Sequence, residues 1–165
     1  MVPPQTIYLS VGSNVGDRAK NLSEALGALE AAGVSVQKIS SIYDTEPVDY
    51  LDQPWFFNCA VQAETQLDPQ SLLRALRDIE TRMGSKKLVP KGPRLIDMDI
   101  LLYGQQTVDT AELQVPHPGM HLRRFVLVPL AEIAPTLRHP SWDATVQELL
   151  ARTPDQSRVR PLPSR

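Results

Sequence analysis

Apolar residues in the first hundred positions switch spacing from every second residue to every third or fourth and back, twice, and few architectures satisfy that order. Residues 6–11 alternate as a strand does and run into Gly12-Ser13-Asn14, a turn cluster. After Asp17 the residues Leu22, Ala25, Leu26 and Leu29 recur at helical spacing, and Gly33 stands where a left-handed residue would end the helix. The segment 34–43 reads as a second strand. A loop bearing Asp and Pro follows at 45–54, after which Phe57, Cys59, Val61 and Ala63 alternate with Phe56, Asn58 and Gln62 as a third strand. Asp68-Pro69 suits a helix start, Asp as the cap and Pro at the first helical position; Leu72, Leu73, Leu76, Ile79 and Met83 then form one apolar face before Gly84. A polar loop at 85–93 leads to a fourth strand over 95–103, then Gly104 and a hairpin.

The order β-α-β-β-α-β predicts an α+β fold, the ferredoxin-like or split βαβ sandwich, with a C-terminal extension. In the extension, Val115-Pro116-His117-Pro118 makes a stiff corner. Residues 123–134 look helical with Pro129 kinking or ending a segment, and Asp143 is placed to cap a last helix through Arg152. Residues 1–152 are expected to form one domain. The remainder, 153–165, holds three prolines and three arginines with almost nothing apolar and is expected to be loosely ordered.

Charge and cysteine usage narrow the function. Against 19 acidic residues stand 17 lysines and arginines, a net charge of −2 that disfavours a chain whose main task is coating nucleic acid or an anionic membrane. The single cysteine, Cys59, excludes an intrachain disulfide and a cysteine-rich zinc site. No apolar run approaches the roughly 18 residues of a membrane span. A cytoplasmic monomer acting on small molecules is the expectation.

The chemistry concentrates in Gly92–Tyr103. Residues two apart on a strand share a face, so Asp97 and Asp99 project together while Ile96, Met98, Ile100 and Leu102 point into the core. Adjacent carboxylates repel unless a cation lies between them, and oxygen-only donors at this spacing suit Mg²⁺ shared with substrate phosphates. The triplet alone fits a solvated strand face equally well. The loop before it adds Arg82, Lys86, Lys87, Lys91 and Arg94 without a single acid, which is either a solvated basic loop or one side of a polyphosphate clamp. His117 and Arg123 supply further donors beside prolines, and no P-loop sequence occurs.

Gly-Pro-Arg-x-Ile-Asp-x-Asp-Ile-Leu-Leu-Tyr-Gly at 92–104, Val-Pro-His-Pro at 115–118 and Arg-x-Phe-Val-Leu-x-Pro-Leu at 123–130 together resemble the 6-hydroxymethyl-7,8-dihydropterin pyrophosphokinase family. Gly12-Ser13-Asn14, Tyr43-Asp44-Thr45-Glu46-Pro47 and Asp52-Gln53-Pro54 through Asn58 extend the resemblance over about residues 6–150. It implies transfer of the β,γ-pyrophosphoryl group of ATP to the pterin hydroxymethyl oxygen, releasing AMP, in folate biosynthesis. It also implies two Mg²⁺ ions on Asp97 and Asp99, with Asp97 near the attacking hydroxyl. Glu80, Lys87, Arg94, Ile100, His117 and Arg123 would lie at the ATP, with Arg94 also serving the chemistry. Thr45, Pro47, Val48, Phe56, Asn58 and Phe125 would form the pterin pocket. Phe56 and Phe125 can cover the faces of a flat heterocycle, and Asn58 offers donors and an acceptor to its edge. Lys91 stands where many members carry an aromatic residue, and Ser85, Lys86 and Lys87 where two arginines are common. Two other readings compete: a ferredoxin-like RNA-binding module, which needs exposed aromatics on its sheet, and a metal-dependent nucleotidyl transferase, which needs no pocket at 45–58.

Overall fold

The computed structural model describes residues 2–84 and 92–163. Strand β1 (Gln5–Ser13) leads to helix α1 (Arg18–Ala31), then β2 (Val34–Ile39), β3 (Tyr43–Thr45) and β4 (Phe56–Thr65). Helix α2 (Pro69–Arg82) precedes β5 (Asp97–Tyr103), and a short hairpin, β6 (Val108–Asp109) with β7 (Gln114–Val115), follows. A 3₁₀ turn (Met120–Leu122), α3 (Arg124–Ile133), α4 (Val146–Arg152) and β8 (Val159–Pro161) complete the chain. The caps at the first two helices are those the sequence suggests. Asp17 accepts from the Lys20 amide and Asp68 from the Ser71 amide, with Pro69 opening α2.

The main sheet runs β5-β1-β4-β3-β8, with β2 also paired to β4, and its ladders are antiparallel. Both faces are covered. One carries the larger core, where Ile7, Leu9, Val11 and Met98 pack against Leu22 and Leu29 of α1 and Leu72 and Leu76 of α2. The other carries Ala60 and Leu101 under Val126, Leu127 and Leu130 of α3 and Val146 of α4. This second cover explains why β4 is buried on both sides from Asn58 to Val61 rather than alternating.

Several expectations are corrected. Segment 34–43 breaks into two strands at Ser40, whose hydroxyl accepts the Ala60 amide at 2.8 Å and so displaces a ladder partner. Glu132 of α3 docks at the break by accepting from the Ser41 amide at 2.8 Å and from the Tyr43 hydroxyl. In β5 the register shifts between Tyr8 and Leu9, so Leu102 pairs with Tyr8 and Tyr103, not Leu102, returns to the larger core. Helix α3 runs through buried Pro129, which forgoes one amide donor without ending the helix. The α4 cap is Thr145 rather than Asp143: Thr145 and Glu148 form a reciprocal capping box, and Asp143 instead meets Arg152 at 3.3 Å. Residues 155–161, expected to be loose, are tied down, because β8 adds to the edge of β3 and Asp155 accepts the Arg124 amide at 2.8 Å.

Candidate active site

The three central strands set the floor of the site through their register. Gly12 on β1 lies opposite Asn58 on β4 and opposite Asp97 on β5; one step along, Ser10 lies opposite Ala60 and Asp99. The side chains of a row share one face, so Asn58 and Asp97 stand two strand spacings apart, about 10 Å, with only glycine between them. A Cβ on Gly12 would fall 2.2 Å from Asn58 Oδ1. The missing side chain is therefore what opens the floor.

Above the floor is a cleft of about 240 Å³. Thr45, Glu46, Pro47, Val48 and Phe56 line one wall, Phe125 and Arg123 of the α3 end line the other, and Arg94, Asp97, Asp99 and His117 close the acidic end. Asn58 is held by its Nδ2 donating to Thr45 Oγ1 at 2.6 Å, which leaves its orientation fixed within a buried setting. His117 is anchored beside β5, its amide donating to Leu101 O at 3.0 Å. Burial first, then the Arg123 charge, push the His117 pKa down to about 4 against the opposing pull of Asp97. Because its Nδ1 accepts the Gly119 amide at 3.2 Å, the neutral ring carries its proton on Nε2 and acts as a donor.

Loops meet at Asn14. Its Oδ1 accepts the Arg94 amide at 2.8 Å, its own amide donates to Arg94 O at 3.0 Å, and its Nδ2 donates to Gln53 Oε1 and Pro54 O, both at 2.9 Å. The Arg94 guanidinium turns back onto the carbonyls of Gly92 and Pro93 at 3.1 Å.

Of the sequence-predicted residues, Arg94, Asp97, Asp99, His117, Arg123, Thr45, Pro47, Val48, Phe56, Asn58 and Phe125 come together around this cleft. Glu80 and Ile100 do not line it. Ile100 is 4% exposed and belongs to the larger core. Glu80 braces β5 from α2: it accepts the Met98 amide at 2.8 Å, while Arg77 donates to Met98 O at 3.0 Å and to Glu80 at 2.9 Å. β5 is an edge strand, and this pair satisfies the outward amide and carbonyl that a further strand would otherwise take. Burial raises the Glu80 pKa, opposed by Arg77 and the Met98 amide. Lys87, with Lys86 and Lys91, lies outside the described residues. Gly12, Glu46, Asp49, Gln53 and Gly92 also line the cleft, and sequence reasoning did not single out their contribution. The resemblance had flagged the stretches around most of them, but only strand register shows why a glycine is needed at 12.

Among the described residues no group of three or more His, Cys, Asp or Glu could hold a metal by itself. The donor set still fits Mg²⁺. Two carboxylates on one strand face supply hard oxygen donors, and a phosphate-bound Mg²⁺ takes one or two protein carboxylates and completes its shell from phosphate and water.

Residues 8–135 match the family described as 7,8-dihydro-6-hydroxymethylpterin-pyrophosphokinase. The chain is 44% identical over 142 residues to the 2-amino-4-hydroxy-6-hydroxymethyldihydropteridine pyrophosphokinase of Bacillus subtilis, covering 86% of this chain and 85% of that one. It is 43% identical over 150 residues to the folic acid synthesis protein fol1 of Schizosaccharomyces pombe, covering 90% of this chain but only 20% of that longer protein. Among solved structures, HPPK-DHPS in complex with substrates superposes with a TM-score of 0.75 at 17% identity, over 90% of this chain and 43% of that one. By the family match and the likeness to the Bacillus protein across most of both chains, this chain belongs to the 7,8-dihydro-6-hydroxymethylpterin-pyrophosphokinase family.

Proposed function

We propose that this chain transfers the β,γ-pyrophosphoryl group of ATP to the hydroxymethyl oxygen of 6-hydroxymethyl-7,8-dihydropterin in folate synthesis. The pterin oxygen bonds to the β-phosphorus, the bond from that phosphorus to the bridging α,β-oxygen breaks, and AMP leaves with the electron pair. The observation that carries this reading is the cleft itself, in which a fixed amide, two aromatic side chains and a carboxylate pair converge over a glycine floor. Asn58 reads the ring edge, and Phe56 and Phe125 cover its faces. Asp97 and Asp99 would hold two Mg²⁺ ions, which when bound neutralise the phosphate charge. Arg94, Arg123 and the Nε2–H of neutral His117 donate to the triphosphate from the opposite side, with Lys87 as a further contact and Asp97 near the departing hydroxyl proton. Glu80 serves the nucleotide only indirectly, through the strand it braces.

The strand order β5-β1-β4 with β2 and β3 beyond, and α1 and α2 on one face, supports the ferredoxin-like reading of the fold within residues 1–152. A monomer working on small molecules in the cytoplasm accords with it, and no described helix is long and apolar enough to cross a membrane. An RNA-binding sheet is disfavoured because α3 and α4 cover the face such a module would present. The deciding assay supplies protein with ATP, Mg²⁺ and the reduced pterin alcohol. AMP should form in step with pterin diphosphate; ADP formation, or turnover indifferent to the pterin, would overturn the assignment.

A further inference from the structure

The segment 155–161 touches both walls of the cleft from outside and contributes no side chain to its lining. On the α3 side, Asp155 Oδ2 accepts the Arg124 amide at 2.8 Å and the Ser157 carbonyl accepts from Arg124 Nε at 3.1 Å. Arg124 lies between Arg123 and Phe125, the two cleft residues of that wall. On the other side, the Glu46 amide donates to Arg158 O at 2.9 Å and the Arg158 amide donates to Glu46 Oε1 at 3.2 Å. The next residues pair in β8, Val159 with Thr45 and Arg160 with Asp44.

Side chains reinforce the grip. Arg158 reaches Glu46 Oε2 at 3.3 Å and Arg160 reaches Asp44 Oδ2 at 3.5 Å. Both guanidinium groups also lie over the ring of Trp55, 5.1 and 4.8 Å from its centroid. Trp55 precedes Phe56, so the strap holds the 45–56 loop at both of its ends. Three residue steps separate Asp155 from Arg158, a span of at most about 10 Å, so the distance between the walls is limited by a short stretch of backbone.

We infer that residues 155–161 form a positioning strap that sets the separation of the cleft walls and thereby its affinity for the pterin, resting on the pterin reading above. Asp155, Arg158 and Arg160 act through Arg124, Glu46, Asp44 and Trp55, and none of them lines the cleft. The strap acts chiefly on pterin: it grips the walls that bear Phe125, Thr45, Pro47 and Val48, and of the groups assigned to the triphosphate end only Arg123 lies on a gripped wall, while Arg94, Asp97, Asp99 and His117 stand on other elements.

The test compares the unaltered chain with Asp155→Ala, Asp155→Asn and the double variant Arg158→Ala/Arg160→Ala, by two measurements. The first is amide hydrogen exchange without ligand. Asp155→Ala should speed exchange at Val48 and Asp49, on the wall it does not touch, and the double variant should speed exchange at Phe125. The second is steady-state kinetics, where pterin KM should rise about five- to tenfold with ATP KM and kcat within about twofold. Asp155 accepts from two amides, through Oδ2 from Arg124 and through Oδ1 from Ser157 at 2.9 Å, so Asp155→Asn, which keeps one acceptor oxygen, should fall between Asp155→Ala and the unaltered chain. If Asp155→Ala fails to fold, the double variant decides, since it removes only side chains that are 68% and 64% exposed. Exchange confined to the wall each variant touches, or pterin and ATP KM rising together, would overturn the strap. An unaltered chain that makes no AMP would overturn the pterin reading instead, and the exchange measurement would still decide the coupling of the walls.

Discussion

Replacing Gly12 with alanine tests the floor of the cleft through the sign of a stability change. Gly12 does not occupy the left-handed region, so its backbone accepts any L-residue, and a glycine within a strand ordinarily costs about 0.5–1 kcal/mol relative to alanine. Without tertiary obstruction Gly12→Ala would therefore stabilise the fold. The obstruction is Asn58, whose Oδ1 would lie 2.2 Å and Cγ 3.2 Å from the new methyl, against an ordinary contact of about 3.5 Å or more. Asn58 cannot step aside freely, because it is 4% exposed and tied to Thr45 at 2.6 Å. Turning it off its rotamer costs about 0.5–1.5 kcal/mol and losing the Thr45 bond about as much again, so the clash costs about 1–3 kcal/mol and, less the backbone gain, leaves a net destabilisation of up to about 2.5 kcal/mol. At about 2 kcal/mol the Tm falls by about 4–8 °C. Pterin binding should weaken further, since the displaced amide is the group proposed above to read the ring edge. Calorimetric unfolding of Gly12→Ala in the unaltered and Asn58→Ala backgrounds makes the cycle: destabilising in the first, neutral or stabilising in the second, with a coupling of at least about 1 kcal/mol. A Gly12→Ala chain as stable as its parent in both backgrounds, with unchanged pterin affinity, would refute the clash and the role given to the glycine.

Asp97→Asn and Asp99→Asn should each cut AMP formation by at least about a hundredfold, the order of loss on removing one electrostatic contact to transferring phosphate, while the circular dichroism stays unchanged; near-normal turnover in either would sink the metal assignment. Glu80→Ala removes the acceptor of the Met98 amide and should cost about 1–3 kcal/mol in denaturant unfolding, with Arg77→Ala costing less in its presence than alone, because their ion pair is already gone and only the Arg77 bond to Met98 O remains to be lost. The Cys59 thiol is pushed up to about 12 by burial, above its unfolded value, so its contribution to stability is fully present below about pH 8.5 and is lost as pH rises through 12. Thiol labelling at pH 8 should accordingly proceed only through opening of the chain and accelerate with denaturant; fast labelling of the native form would contradict this.

The Asp97–Asp99 face was legible because alternation on a strand needs no partner to be read, and Ile96, Met98 and Ile100 marked the opposite face as core. That logic failed three residues later, where a bulge set by pairing with Tyr8 reversed the faces of Leu102 and Tyr103. Strand β4 was half legible. Its outward residues are covered by α3 and α4, whose covering positions at 126–146 lie far along the chain and leave no periodic mark on 56–65. Glu80 carried a family expectation of proximity to nucleotide, yet its carboxylate is spent on an edge amide, a need visible only once β5 is known to be the sheet's edge. The ordering of 155–161 was hidden by composition, since its contacts are main-chain pairing, a helix cap and arginine stacking rather than burial of apolar side chains.

Asn14 gives the cleft a mechanical consequence. Its bonds to Arg94, Gln53 and Pro54 pin two loops of unrelated sequence position at one buried point, 3% exposed. The backbone of Arg94 and the 53–54 end of the loop that carries exposed Tyr50 and Leu51 are thereby referred to one common point. Asn14→Ala would remove that shared anchor and leave the two loop roots without a fixed spacing.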